Sequence, residues 1–275
     1  MTAPIWNDER VQRWLSKVDG LENELAPVSD VLFDAAGLEP GQQVLDVGCG
    51  AGSTTRRAAE AVGPLGSVTG LDISPAMIDA ARGRAAGSPI TWVVADVVEH
   101  EFAAAAYDVV LSRFGVMFFS DPREAFGKLA AATRVGGRLR LAVWRPPGQC
   151  PLFDVPYDAV TSALRSRGID YADPPAVAAS LGEPARTRTL LGDAGWSDVQ
   201  FAPSDVSLYV EGRGPLEQVV ENTLDQGRVR MLLEHQPPEV VDIARAALRL
   251  ALAPRYDGLG VPLPGGFMII SATRR

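Results

Sequence analysis

The residue types that do the most chemistry in this chain stand together in Val44-Leu45-Asp46-Val47-Gly48-Cys49-Gly50-Ala51-Gly52-Ser53-Thr54, a short apolar run with one acid, then three alternating glycines and two hydroxyls. Glycines let a backbone turn sharply and approach a ligand closely, and Ser53-Thr54 opens a helix whose free N–H groups favour an anionic moiety. Two further acids, Asp72 in VTGLDIS and Asp96 in VVADV, close the next two apolar runs. If those runs are parallel strands, the three carboxylates line the carboxyl edge of a sheet, where open α/β sheets bind ligands. Such an edge repels a phosphate-rich ligand and suits one that carries a cationic centre, sugar hydroxyls and an amino-bearing base. The glycine spacing departs from the dinucleotide fingerprint: counting from Gly48 places Ser53 at the third glycine, and that fingerprint has no use for Asp46.

The elements that would position these residues can be read from the pattern. QQVLDV (42–47), SVTGLDI (67–73), ITWVVADV (90–97), YDVVLS (107–112) and RLRLAVW (138–144) are near-continuous apolar runs, as expected of parallel strands covered on both faces. Helical stretches alternate with them. Ser74-Pro75 and Asp121-Pro122, the latter with Glu124, read as helix starts, and Gly136-Gly137 reads as the end of the second helix. After Arg145-Pro146-Pro147-Gly148 the alternation stops, and residues 149–182 read as helical pieces with the proline-rich link YADPPAV. EPARTRTLLGDAGW then reads as a helix closed at Gly195, followed by strands within DVQFAPSDVSLYV and GGFMIISATRR, with about fifty residues of helical apolar spacing between them. The expected organisation is N-terminal cap helices over 1–40, a ligand-binding core over 41–146, a first cap insertion over 147–182, core again over 183–212, a second cap insertion over 213–258 and a last core strand over 259–275. Inserted helices over an open sheet commonly shape substrate pockets.

The 275 residues are 47% hydrophobic and 22% charged, with a formal charge of -8, so an ordinary globular chain with one or two domains is expected. No basic stripe offers the counterion release that nucleic-acid binding draws on. No apolar run approaches the roughly 18 residues of a membrane span, and the first residues lack the layout of a signal peptide, so neither a membrane nor a nucleic-acid partner is expected and the placement is cytoplasmic. Cys49 and Cys150 have no metal-ligand spacing around them, and no metal is expected.

The ligand that combines a cation, a ribose and an adenine amino group is S-adenosylmethionine, which suits the three acids better than NAD or ATP does. VLDVGCGAG, VTGLDISPAMIDAAR, VVADV, YDVVLSRFGVMFF and RVGGRLRLAVWRP together resemble the class I S-adenosylmethionine-dependent methyltransferases, most of all their ubiquinone/menaquinone-biosynthesis-type branch. The resemblance covers roughly residues 40–145 and, more weakly, the last strand. It implies an α/β fold, a doubly wound Rossmann-like, mostly parallel seven-stranded sheet with helical cap insertions. It further implies that Asp46, Gly48, Cys49, Gly50, Gly52 and Thr54 surround the methionine part of the cofactor, with Asp46 near its ammonium directly or through a water. Asp72 would hold the ribose, Ile73 and Met77 would pack against adenine, Asp96 with Val97 would meet its edge, and Ser112 would sit beside the transferable methyl group. The caps carry no motif that matches the acceptor determinants of the quinone branch.

Methyl transfer from a sulfonium is an in-line displacement that relies on alignment and exclusion of water, so a conspicuous catalytic residue is not required. If the acceptor must lose a proton, histidine is the usual base, and the chain has two. His235 in the second insertion is the candidate; His100 reads as a loop residue. Arg113, Phe114 and Met117, in the run directly after the fourth strand, and Tyr157 in the first insertion are candidate acceptor-binding residues, while Asp154 stands as a weaker one. Trp6 and Trp14 fall in a helix that, in similar enzymes, folds over the cofactor. The expected partner is a small, fairly apolar methyl acceptor, a secondary metabolite or quinone-like compound, and a homodimer is compatible with this reading. Two alternatives stay open: a protein of the same fold that binds the cofactor but catalyses a cyclisation or serves as a binding or regulatory module, and a nicotinamide-dependent oxidoreductase.

Overall fold

A computed structural model describes residues 8–85, 89–174, 181–225 and 227–275. The chain divides into two compact units, the first made of Met1–Trp144, Leu181–Pro203 and Met268–Arg275, the second of Arg145–Ser180 and Ser204–Phe267. Trp6 and part of the link after Tyr171 lie outside the described residues.

The first unit begins with three helices, α1 (Asp8–Ser16), α2 (Val18–Glu24) and α3 (Ala26–Ala36). Strand and helix then alternate: β1 (Gln43–Val47), α4 (Ser53–Val62), β2 (Ser67–Asp72), α5 (Pro75–Arg84), β3 (Ile90–Val94), β4 (Tyr107–Arg113), α6 (Pro122–Ala132) and β5 (Thr133–Trp144). Later come α8 (Pro184–Asp193) and two long strands, β6 (Trp196–Tyr209) and β7 (Pro262–Arg274). Among the described residues the seven strands form one sheet in the order β3-β2-β1-β4-β5-β7-β6. β1 pairs in parallel with β2 and β4, β2 with β3, and β4 with β5. The apolar runs are buried as a doubly covered parallel sheet requires: Val44, Leu45, Val109, Val110, Leu111, Leu139 and Leu141 have no exposed surface.

Local sequence sets the helix starts. The Ser74 hydroxyl accepts the Met77 N–H at the head of α5, and the Asp121 carboxylate accepts the Glu124 N–H at the head of α6, each ahead of a proline in the first turn. At the other end of α6 the expectation fails. α6 closes at Ala132 and β5 starts at once, so Gly136-Gly137 sits inside the strand, where the β4–β5 register shifts between Tyr107 and Val109. Gly136 has φ +75, and a Cβ on Gly137 would stand 2.8 Å from the Arg134 carbonyl oxygen, so the pair serves an irregularity in a strand instead of a helix end. β3 also stops two residues short of Asp96, which lies in the following turn.

The second unit is built on α7 (Pro151–Arg165), α9 (Leu216–Leu224), α10 (Gly227–Leu233) and α11 (Pro238–Leu252). α11 packs on α7 and α9, and an apolar cluster that includes Val160, Leu164, Ala244, Leu248 and Leu252 forms the core. Residues 204–209 of β6 and 262–267 of β7 fall in this unit, so its boundaries cut through two continuous strands where the sequence suggests an insertion beginning after residue 212.

Candidate active site

The turn after β1 is fixed from three sides. The Gly48 and Cys49 N–H groups both donate to the Leu71 carbonyl of β2, at 2.8 and 3.1 Å. Gly48 has φ +66, and a Cβ there would stand 2.6 Å from the Gly115 Cα, so the turn after β1 lies backbone to backbone on the turn after β4. Ser112 joins the same two turns: its hydroxyl donates to the Val47 carbonyl at 2.7 Å and accepts the Val116 N–H at 3.3 Å. Gly52, with φ +82, is where the Trp92 ring and Ala81 pack, a Cβ there meeting the ring at 2.5 Å. Gly50, with φ +53, differs from both in having nothing within 4 Å of the position of a Cβ. Of the three glycines it is the one with room for a ligand beside the backbone.

Asp46 has no exposed surface. One carboxylate oxygen, Oδ2, accepts the hydroxyls of Thr54 and Thr55 from the first turn of α4, both at 2.6 Å. The other, Oδ1, is buried without a hydrogen-bond partner in the described structure. Burial raises the acid to a pKa of about 6, against which the two threonine hydroxyls and the Arg113 guanidinium pull it down while Asp72 adds to the rise. An orphaned acceptor of that kind, tied through Thr54 and Thr55 to the α4 N-terminus, is chemically suited to a donor such as the cationic end of an amino-acid-bearing ligand. The Cys49 thiol, 6% exposed, is pushed well up by burial and by Asp46 and Asp72, so it stays protonated and is no nucleophile.

Asp72 ends β2. Its Oδ2 accepts the Gly50 N–H and its Oδ1 the Ser74 N–H, both at 2.9 Å, which ties the glycine turn to the head of α5. Burial raises this acid too, opposed by those backbone donors. A carboxylate offers about four lone-pair sites, so two remain for the hydroxyls of a sugar. Ile73 beside it is 48% exposed, whereas Met77 and Val97 are buried. Asp96 accepts the Val98 N–H at 2.8 Å and shapes the turn after β3.

Arg113, at the end of β4, is nearly buried; its guanidinium donates to Glu22 of α2 at 2.5 Å and to the Ser29 hydroxyl of α3 at 2.7 Å, holding the N-terminal helices near the sheet edge. A polar cleft of about 280 Å³ lies there, lined by Glu22, Asn23 and Ala26 of these helices and by Ala51, Ser53 and Arg56 of the glycine turn and α4. Trp14 of α1 is partly buried. Phe114 takes the left-handed conformation, φ +66, which an aromatic side chain rarely adopts. Its ring stacks on Trp144 at the end of β5, 4.0 Å between centroids and 7° from parallel, and the Met117 sulfur accepts the Trp144 N–H at 3.3 Å.

The remaining candidates lie in the second unit or outside this cluster. The Tyr157 hydroxyl donates to Asp173, the Arg228 guanidinium lies 3.7 Å over its ring, and burial with Asp173 holds the phenol proton in place. Asp154 accepts the Cys150 N–H at the start of α7. His235 is exposed in the turn after α10, and His100 packs edge-on against Phe102. A larger cleft of about 680 Å³ beside α9 and α11 is rimmed by ion pairs such as Arg249 with Glu217 and Arg245 with Asp242.

Thr55, Gly115, Trp144 and Glu22 join the site without having been singled out by their sequence. The Thr-Thr pair at the head of the helix was a visible signal for the first; the others depend on contacts between distant segments.

A methyltransferase domain family matches residues 44–137. The nocamycin O-methyltransferase of Saccharothrix syringae is 32% identical over 193 residues, 66% of this chain and 69% of that protein. The demethylmenaquinone methyltransferase of Renibacterium salmoninarum is 28% identical over 178 residues, 62% of this chain and 73% of that one. Some other curated relatives are matched over less than half their length, 46% and 39% for two of them. The crystal structure of YcgJ from Bacillus subtilis shares the fold, with a TM-score of 0.57 at 16% identity over 90% of this chain and 97% of that one.

Proposed function

The chain belongs to the class I S-adenosylmethionine-dependent methyltransferases, and on that premise we propose that it methylates a small, fairly apolar metabolite of the secondary-metabolite or quinone-like kind. S-adenosylmethionine is the cofactor, and when bound it supplies a methyl group on a sulfonium that leaves as a thioether without help from an acid.

The chain's own residues then have binding and alignment to do. Asp46 presents its unpartnered Oδ1 to the ammonium, Gly50 lets the backbone approach, and the first N–H groups of α4 receive the carboxylate. Asp72 takes the ribose hydroxyls and Ile73 covers one side of the adenine. Met77, Val97 and Asp96 shape the wall behind it from their buried or turn positions. Ser112 acts by joining the two turns, its hydroxyl being engaged by main chain on both sides. Arg113 acts by anchoring α2 and α3.

The acceptor reading is carried by the stacked Phe114–Trp144 pair. It stands at the carboxyl ends of β4 and β5, and the Gly48–Gly115 contact fixes the chain beside Phe114 against the cofactor turn. An apolar, aromatic wall in that place favours an unsaturated acceptor and disfavours a charged polymer. The names of two relatives, which refer to nocamycin and demethylmenaquinone, point the same way. His235 is exposed and the Tyr157 hydroxyl is engaged by Asp173, so alignment and exclusion of water carry the reaction.

The test is a panel of phenolic, enolic, quinol and amine metabolites incubated with the protein and S-adenosylmethionine, read by mass spectrometry for a 14-dalton gain in the acceptor. Turnover of a member of the apolar group, with Phe114→Ala raising KM about tenfold, is expected. Turnover confined to polar amines or to polymers contradicts the acceptor assignment.

A further inference from the structure

Asp46 is wrapped in a way that the glycine motif does not require. Two hydroxyls from consecutive residues of α4 converge on one oxygen of the acid, each at 2.6 Å, and the second oxygen is buried with no partner. All three side chains are buried, Asp46 and Thr55 with no exposed surface and Thr54 at 4%. A carboxylate satisfied on one side only is an incomplete arrangement, because a buried acceptor left unpaired costs free energy that an incoming donor restores.

We infer that Thr54 and Thr55 are positioning residues, whose hydroxyls hold one oxygen of Asp46 and so direct the other to the ammonium of the cofactor's amino-acid end. The inference rests on S-adenosylmethionine being the ligand of this turn. A hydroxyl pair orients the acid better than a backbone donor would, because both bonds fall on the same oxygen and leave the other free of competition. It also favours the charged form of a group that burial alone would neutralise. The charged or titratable groups that act on Asp46 are Arg113 at the end of β4, Asp72 at the end of β2 and the Cys49 thiol in the turn. Cys49 stays neutral and Asp72 is held by two backbone N–H groups, which leaves Arg113 and the threonines to oppose burial.

The consequence is an acid limb in cofactor affinity. With Asp46 titrating at about 6 in the ligand-free protein, affinity is full above that pH and falls about tenfold per unit below it. Removing a hydroxyl weakens the charged form, raises the acid further and moves the limb to higher pH.

The experiment is calorimetric titration of S-adenosylmethionine and of methylthioadenosine, which lacks the amino-acid end, between pH 5 and pH 8 on the full chain. Wild type is compared with Thr55→Val, Thr55→Ser and Asp46→Asn. Thr55→Val is expected to move the midpoint of the limb up by about one unit and to weaken S-adenosylmethionine about fivefold at pH 6. Methylthioadenosine affinity should be unchanged, Thr55→Ser should restore the wild-type profile, and Asp46→Asn should remove the limb. A Thr55→Val profile that coincides with wild type overturns the inference, as does an equal loss of methylthioadenosine binding, which a general distortion of the turn would cause. Should Thr55→Val not fold, an Asp46→Asn protein that keeps the acid limb overturns it alone. Failure of wild type to bind S-adenosylmethionine at any pH would refute the cofactor assignment itself, a result distinct from all of these.

Discussion

Buried polar side chains divide the two units of this molecule sharply. In the first unit five of them bridge elements, Asp46 of β1 to Thr54 and Thr55 of α4, Ser112 of β4 to the end of β1, and Ser29 of α3 to Arg113 of β4, while Ser74, Thr133 and Thr187 bond locally. In the second unit, among the described residues, Thr161 and Thr223 are the buried polar ones, and each donates back to its own helix, to the carbonyls of Tyr157 and Val219. A bridging hydrogen bond demands a particular residue at a particular place, whereas an apolar core demands only volume and shape. The first unit's cross-element bonds therefore fix the turns after β1 and β4 against their neighbours. The second unit has the tolerance of a scaffold whose outline can be varied.

This contrast breaks most violently at Gly48. Gly48→Ala puts a Cβ 2.6 Å from the Gly115 Cα at φ +66, which costs about 2–6 kcal/mol by combining strain with overpacking. A melt of the variant should show a large loss of stability together with loss of cofactor binding. Leu248→Ala in the second unit, where the side chain is fully buried, should cost about 2–5 kcal/mol in denaturant unfolding while the folded variant binds S-adenosylmethionine with wild-type affinity. If that affinity also fell, the separation of roles between the units would be wrong.

At Asp46 function and stability pull apart. Its pKa rises from 3.8 to about 6 on folding, so the ionised acid destabilises the protein. That cost is absent below pH 3.8, grows between the two values and is complete above pH 6, where it amounts to about 3 kcal/mol. Asp46→Asn should accordingly stabilise the ligand-free protein at pH 7 in a denaturant titration, by at most that amount, while weakening the cofactor. Asp72→Ala should weaken S-adenosylmethionine by about 1.5–3 kcal/mol in calorimetry through lost charged hydrogen bonds. The smallest effect belongs to His235→Ala, an exposed change expected to leave kcat within about twofold and stability within about 0.5 kcal/mol.

The same division explains what could be read from the sequence. β1, β2, β4 and the glycine turn were legible because a parallel strand buried on both faces, a left-handed turn and an acid at a sheet edge each restrict residue type. Gly136-Gly137 misled because two glycines after a helix signal a helix end, whereas the register of β5 against β4 turned them into a strand irregularity. Thr55 and Gly115 were not legible, since their importance comes from Asp46 and Gly48 reaching them across the fold. Ser112 could be placed at a strand end but not assigned its task, which depends on the Val47 carbonyl lying opposite its hydroxyl. In the second unit the helices could be predicted from their apolar spacing, but nothing in an apolar core names an acceptor.

We propose that the turn around Asp46, Gly50 and Asp72 holds S-adenosylmethionine. The most direct test is calorimetric titration of the folded, ligand-free chain with S-adenosylmethionine, its demethylated product and NAD at pH 7.5. Saturable binding of both sulfur compounds with none of NAD is the predicted result. Binding of NAD, or of neither sulfur compound, would contradict it.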